Sequence, residues 1–254
     1  MMEITSLALA SILVVVSILF SYSQKLKLEK EIIVGVIRAI VQLTAVGYVL
    51  NIIFGLKNPL FTSILLLVML YNAAYNAGKR GKNIKSSILI SFISIGSGAT
   101  VTLGVLLLAG AIKYTPSEMI PVSGMIISNA MAAIGLCYKQ LISDFKNKSQ
   151  EVEEKLSLGA DILPSSVEII RDSIKTGMQP TIDSMKTLGI VSLPGMMTGL
   201  ILAGTPPMEA IKYQIMVTFM LLSCTSIASF LSCYLSYSKF FNDRKQLIFN
   251  ECNK

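Results

Sequence analysis

Six stretches of this chain contain no Asp, Glu, Lys or Arg: Ile4–Tyr22, Pro59–Gly78, Ser86–Ile112, Met119–Tyr138, Thr187–Met208 and Tyr213–Ser238. A seventh, Ile32–Leu56, is interrupted only by Arg38. Crossing ~30 Å of hydrocarbon takes ~20 helical residues, and a helix is the one open-ended segment that pairs its own backbone groups in lipid. The pattern predicts an all-α, polytopic integral membrane protein with about seven transmembrane helices. With 53% hydrophobic and 15% charged residues and a mean hydropathy of +0.66, the composition excludes an ordinary soluble domain. Residues 1–254 are read as a single transmembrane domain. The first run lacks a basic leader and a small-residue cleavage site, and is read as a retained span.

Lys and Arg favour the cytoplasmic side of a bilayer. Lys25, Lys27 and Lys30 follow the first run, Lys79, Arg80, Lys82 and Lys85 the third, and Lys239, Arg244, Lys245 and Lys254 the last. The intervening connections hold Lys57, Lys113 and no cation at all. This alternation puts the N-terminus outside and the C-terminus inside. It also accounts for the net charge of +7 through the anionic inner leaflet, with no need of nucleic acid.

Parity makes 139–186, between the fifth and sixth spans, a cytoplasmic loop. Glu151, Glu153 and Glu154 open a short helix, with Gly159 suited to its C-terminal turn. Asp161 is placed to cap a second helix, in which Val167, Ile170, Ile174 and Met178 form an apolar stripe and which Gly177 and Pro180 end. Two uses fit such a pair: lying on the bilayer surface, or docking a cytosolic partner.

Within the spans, Arg38, Gln42, Asn72, Asn76, Asn129 and Gln214 are costly in lipid unless paired or wetted, and should face inward. Arg38 with Gln42 and Asn72 with Asn76 share helix faces, as in a lined pathway. Interhelical hydrogen bonding explains the amides equally well, and snorkelling explains Arg38. Small-xxx-small pairs at Gly35/Ala39, Gly124/Ser128 and Gly195/Gly199 permit close helix approach. Pro121, Pro194, Pro206 and Pro207 bend or break span ends, so Pro121, Gly124, Pro194, Gly195 and Gly199 are candidate gating positions.

The chain contains no histidine, which excludes His-dependent triads and the usual zinc sites. Gly78-Lys79-Arg80-Gly81-Lys82-Asn83 lacks the leading Gly and the terminal Ser/Thr of a nucleotide-binding loop. An intramembrane lipid enzyme would need a nucleophile with a nearby base, which the sequence does not display. A passive channel fits the composition but leaves the long loop without a use.

Several segments resemble the UPF0014 family of membrane proteins. They are Ile120-Pro121-Val122-Ser123-Gly124-Met125-Ile126-Ile127-Ser128-Asn129-Ala130-Met131, Ser192-Leu193-Pro194-Gly195-Met196-Met197-Thr198-Gly199, Ala210-Ile211-Lys212-Tyr213-Gln214 and, in the loop, Leu158-Gly159-Ala160. The resemblance implies an ABC-transporter permease connected with iron export, working as a homodimer with a separate cytosolic ATPase that binds the ATP; this chain would hold no cofactor. It further implies that Glu153, Glu154, Leu158, Gly159, Ala160 and Asp161 couple to that ATPase. Arg38, Gln42, Asn72, Asn76, Asn129, Met196, Met197 and Gln214 are the candidate substrate pathway. The metal ligands are not identifiable: the spans offer thioethers and amides but no acid, and Met clusters also serve as flexible packing. Arg38 and Lys212 would instead favour an anionic or organic solute.

Overall fold

The computed structural model describes residues 11–56 and 59–248, and its chain divides into two compact units, Met1–Lys57 and Asn58–Lys254. In the first unit, α1 (Ile12–Ser23) and α2 (Glu29–Leu56) are joined by a turn in which Lys25 and Lys27 take positive φ. The Ser21 hydroxyl ties the turn together: it donates to Glu29 Oε1 (2.8 Å) and accepts from the Leu28 N–H (3.1 Å).

The second unit comprises α3 (Pro59–Arg80), α4 (Ser87–Leu108), α5 (Pro116–Asn147), α6 (Ser149–Ser157), α7 (Ile162–Thr187), α8 (Gly195–Leu202) and α9 (Pro207–Ser236), followed by a 3-10 turn at Tyr237–Phe240. The core lies among α3, α4, α5, α7 and α9, with Ile95, Ile126, Ile134, Cys137, Tyr138, Leu141, Phe145, Ile170 and Cys224 fully buried. Among the described residues, five helices, α2, α3, α4, α5 and α9, are long and apolar enough to cross a membrane, and α1 is a shorter apolar helix. The expected first span begins among residues outside those described. The all-helical, polytopic architecture agrees with the sequence pattern.

Two expectations change. The run Thr187–Met208 does not form one span: only Gly195–Leu202 is helical, ~12 Å of helix, too short for ~30 Å of hydrocarbon. Nor do Gly177 and Pro180 end the helix before it, because α7 continues through both to Thr187. A proline inside a helix removes one backbone donor and strains the preceding turn without always stopping it. The 139–186 segment is accordingly less of a loop than expected. Its first residues extend α5 to Asn147, and α7 packs into the bundle along Ser165–Gly177. The surface-lying reading of α7 fails for the same reason, since α7 packs on α5 and α9.

The sequence stripe Val167, Ile170, Ile174 and Met178 is only one flank of the packed face. That face is centred on Ser165, Ser166, Ile169, Ile170, Ser173 and Gly177, all buried. Small side chains let the three backbones approach closely. A methyl group at 177 would strike the Cys137 sulfur of α5 and lie 3.0 Å from the Ala133 carbonyl oxygen and 3.2 Å from the Ser229 hydroxyl of α9.

Candidate translocation site

Between α7 and α8 the chain breaks. Gly189, at φ +79, turns back so that its N–H donates to the Ser192 carbonyl (3.0 Å), and the Val191 N–H donates to the Thr187 carbonyl (3.0 Å). Pro194 then starts α8, since its fixed φ suits the position just before a helix and it has no N–H to leave unpaired. The last turns of α7, this break and α8 together form a discontinuous element beside α5 and α9. Broken helices at membrane depth are tolerated where the freed backbone lines a cavity, and ion and substrate sites of transporters are built there.

A cavity of about 410 Å³ lies at this break. Asn129 of α5, Thr181 and Ser184 of α7, Ser192 and Pro194 of the break, and Gln214 and Thr218 of α9 supply its polar wall and its hinge. Local bonds set these side chains. Asn129 Nδ2 donates to the Met125 carbonyl (2.8 Å) and the Thr218 hydroxyl to the Gln214 carbonyl (2.8 Å). Gln214 Oε1 is buried without a hydrogen-bond partner. Two amides and four hydroxyls in an apolar surround make a site for a polar or partly dehydrated solute, since an unmatched buried acceptor favours a donor or a cation.

A second cavity of about 730 Å³ opens on the far side of α8. Its lining includes Lys113, Glu118, Pro121, Met125, Met196 and Met216. Glu118 Oε2 is engaged by the Lys113 N–H (2.7 Å). Pro194, just before α8, lines the first cavity, and Met196, two residues further on, lines the second.

The expected pathway residues are only partly gathered. Asn129 and Gln214 line the cavity at the break and Met196 the second one; of the expected gating positions, Pro194 lines the first cavity and Pro121 the second. Met197 is half-buried and lines neither. Asn72 and Asn76 share a face of α3 as expected, but that face is exposed, and Asn76 Nδ2 bonds the Asn72 carbonyl (2.8 Å). They do not face inward: Ala73, Ala74, Ala77 and Gly78 take the packed side because small residues admit the neighbouring helix. Arg38 and Gln42 belong to the first unit and are exposed on α2. A side-chain carbon at Gly124 would lie 3.1 Å from the Met69 methyl group, whereas one at Gly35, Gly195 or Gly199 would meet nothing within 4 Å. Among the described residues, no close helix approach therefore occurs at the Gly195/Gly199 pair.

Reading the chain as charge-free runs missed Thr181 and Ser184 because Lys186 closed the sixth run before them. The signal was present in Pro180-Thr181 and Ser184, polar residues three apart on a helix that a proline has already loosened.

At the basic end of the bundle, α6 and α7 meet in an exposed knuckle. The α6 helix ends at Ser157, Leu158 is 88% exposed, and Gly159 takes φ +92, which a side chain at that position would resist. Asp161 caps α7, accepting from the Ile162 N–H (2.9 Å), and pairs with Lys245 of the C-terminal tail (2.9 Å). The Lys245 ammonium, then the Ile162 amide, hold the Asp161 carboxyl below its usual pKa. Lys155 bridges Glu151 (2.7 Å) and Glu168 (3.5 Å), and Lys148 bonds Asp172 (3.3 Å), fastening α6 to α7. These exposed pairs orient the knuckle more than they stabilise it. A groove between it and the tail is lined by Glu153, Ser157, Ala160, Arg244 and Lys245. Glu153 and Glu154 are exposed on α6.

Helices of membrane-crossing length, a broken element between two of them, and cavities on both sides of the break define a multi-pass membrane permease. The chain belongs to the UPF0014 family, described as an uncharacterised protein family, whose sequence model matches residues 4–241. It is 52% identical over 249 residues to the "Probable iron export permease protein FetB" of Escherichia coli (strain K12), covering 98% of this chain and 96% of that one. It is 38% identical to the "UPF0014 membrane protein YjkA" of Bacillus subtilis (strain 168), across 98% and 100% of the two chains. The "Protein ALUMINUM SENSITIVE 3" of Arabidopsis thaliana is 37% identical, across 94% and 88%. No solved structure matches the chain.

Proposed function

We propose that this chain is the membrane-spanning subunit of an ABC transporter in the cell membrane, exporting iron or another metal, with two copies working alongside a separate cytosolic ATPase. The observation that carries this reading is 52% identity, across almost the whole of both chains, to a protein named as a probable iron export permease. The cavity at the α7–α8 break is the candidate substrate site, with Asn129, Thr181, Ser184, Gln214 and Thr218 as its polar contacts. The outer cavity would be the exit vestibule, where Met125, Met196 and Met216 offer thioethers and Glu118 a carboxylate. Hinging at Gly189 and Pro194 would move α8 and join the two. The knuckle at Glu153, Glu154 and Leu158–Asp161 is the coupling element, gripped by the ATPase so that closure on ATP pushes along α7 to the break.

An anionic substrate finds less support than the sequence suggested. Lys212, one of the two cations thought to favour it, is paired with Glu209 (2.8 Å). Inside-out vesicles containing the chain and its ATPase should accumulate metal when supplied with ATP, and the purified chain alone should hydrolyse none. ATP hydrolysis by the clean chain, or uptake of organic anions in preference to any metal, would overturn the proposal.

A further inference from the structure

Gly177 abuts Ala133 and Cys137 of α5 and Ser229 of α9. From there α7 runs antiparallel to both helices, with Thr181 to Leu188 sharing the cavity with Asn129 and with Gln214 to Leu221. Asp183 lies six residues beyond Gly177, about 9 Å along the axis, level with Asn129. Asn129 is at the centre of the charge-free run Met119–Tyr138. By this register the Asp183 carboxylate lies level with the middle of an apolar run rather than with its charged ends. Lys186 is one turn further on.

Asp183 and Lys186 are both exposed on the side of α7 away from the packed serines, and Lys186 Nζ lies 3.1 Å from Asp183 Oδ1. Gln179 Nε2 donates to both carboxylate oxygens at 2.9 Å. Among the described residues from Gly177 to Thr187 and in the charge-free runs of the second unit, these two carry the only formal charges. A short Asp side chain cannot reach the interface from this depth, and an exposed charge pair in hydrocarbon is far costlier than one in water. The face also adjoins the cavity, because Ser184 is exposed beside Asp183 and lines it.

We infer that the Gln179–Asp183–Lys186 face of α7 is the wall of a water-filled passage at mid-membrane, and that Asp183 is the group there that receives a cation, exchanging the Lys186 ammonium for it. This rests on the permease reading but is tested without transport.

The full chain carrying Cys252→Ser, with Gln179→Cys or Asp183→Cys, is reconstituted in phosphatidylethanolamine–phosphatidylglycerol vesicles and exposed to small charged methanethiosulfonates. Val101→Cys is the comparison: it is apolar and half exposed, and it lies on α4 one turn from Gly98, which touches Cys224. The native Cys137, Cys224 and Cys233 are buried. Both α7 thiols should react at least about tenfold faster than Val101→Cys. At Gln179→Cys, adding Asp183→Asn should shift the ratio of cationic to anionic reagent rates down by about threefold, and Lys186→Met should shift it up similarly. Reaction no faster than at Val101→Cys would overturn the passage. Ratios unmoved by either neutralisation would overturn the role of Asp183. Metal flux with unreactive α7 thiols would sink this inference and leave the permease reading intact, whereas reactive thiols in a protein that moves no metal would do the reverse.

Discussion

A methyl group at position 177 would collide with the Cys137 sulfur and crowd the Ala133 carbonyl and the Ser229 hydroxyl, so α5, α7 and α9 meet there only because the residue is glycine. Gly177→Ala should destabilise the protein by about 1–3 kcal/mol through overpacking, read as a lower thermal midpoint in detergent. Gly195→Ala, with nothing within 4 Å, should change it by less than about 0.5 kcal/mol. The comparison shows why a spacing motif is a weak guide. A GxxxG pair records that a helix can be approached closely, not that anything approaches it, and here the close contacts fall at solitary glycines. Gly98, where an added carbon would lie 3.0 Å from Cys224, and Gly81, where it would lie 2.7 Å from the Tyr138 ring, are two more. Asn129 and Gln214 were legible as residues that would face inward because amides are costly in lipid, and both line the cavity at the break. Asn72 and Asn76 met the same criterion yet sit on an exposed face, because the cost says that a partner is needed and not on which side.

At the scale of elements, local chemistry was most readable in the knuckle. Gly159 past the end of α6 and Asp161 at the cap of α7 stand where their backbone preferences put them, since capping depends on residues within a few positions of one another; of the three acids expected to open α6, only Glu151 lies in its first turn, because the helix begins at Ser149. Leu158→Glu should leave folding unchanged, because the side chain is 88% exposed, and should abolish ATP-driven transport while weakening capture of the ATPase in pull-down. Retained transport in that variant would remove the knuckle from the coupling role. The discontinuous element was harder to read. Pro180 lies within α7 and Pro194 starts α8, and nothing local distinguishes a proline that interrupts a helix from one that a packed helix absorbs. What decides is whether neighbouring helices hold the turns on either side, as α5 and α9 do for α7.

For the whole molecule, the alternation of basic connections sets a testable orientation. A single thiol at Glu153→Cys should react with an impermeant reagent in inside-out vesicles and remain unlabelled in intact cells. The opposite result would detach the knuckle from any cytosolic ATPase. The all-helical membrane architecture, the polar knuckle and the family likeness were present in the sequence alone, because lipid forces every spanning segment to satisfy its own backbone and so writes each as a contiguous apolar run. The cavity at the break was not written that way. It is assembled from α5, the end of α7, the break and α9, residues distant in sequence that share a cavity only once Gly177 and the buried serines let three helices close on one another. The passage inferred above would also include a charged pair, Asp183 and Lys186, that a hydropathy reading assigns to water outside the membrane. Contiguity reveals what faces lipid. What faces a passage is set by packing between segments, and only the tertiary structure decides it.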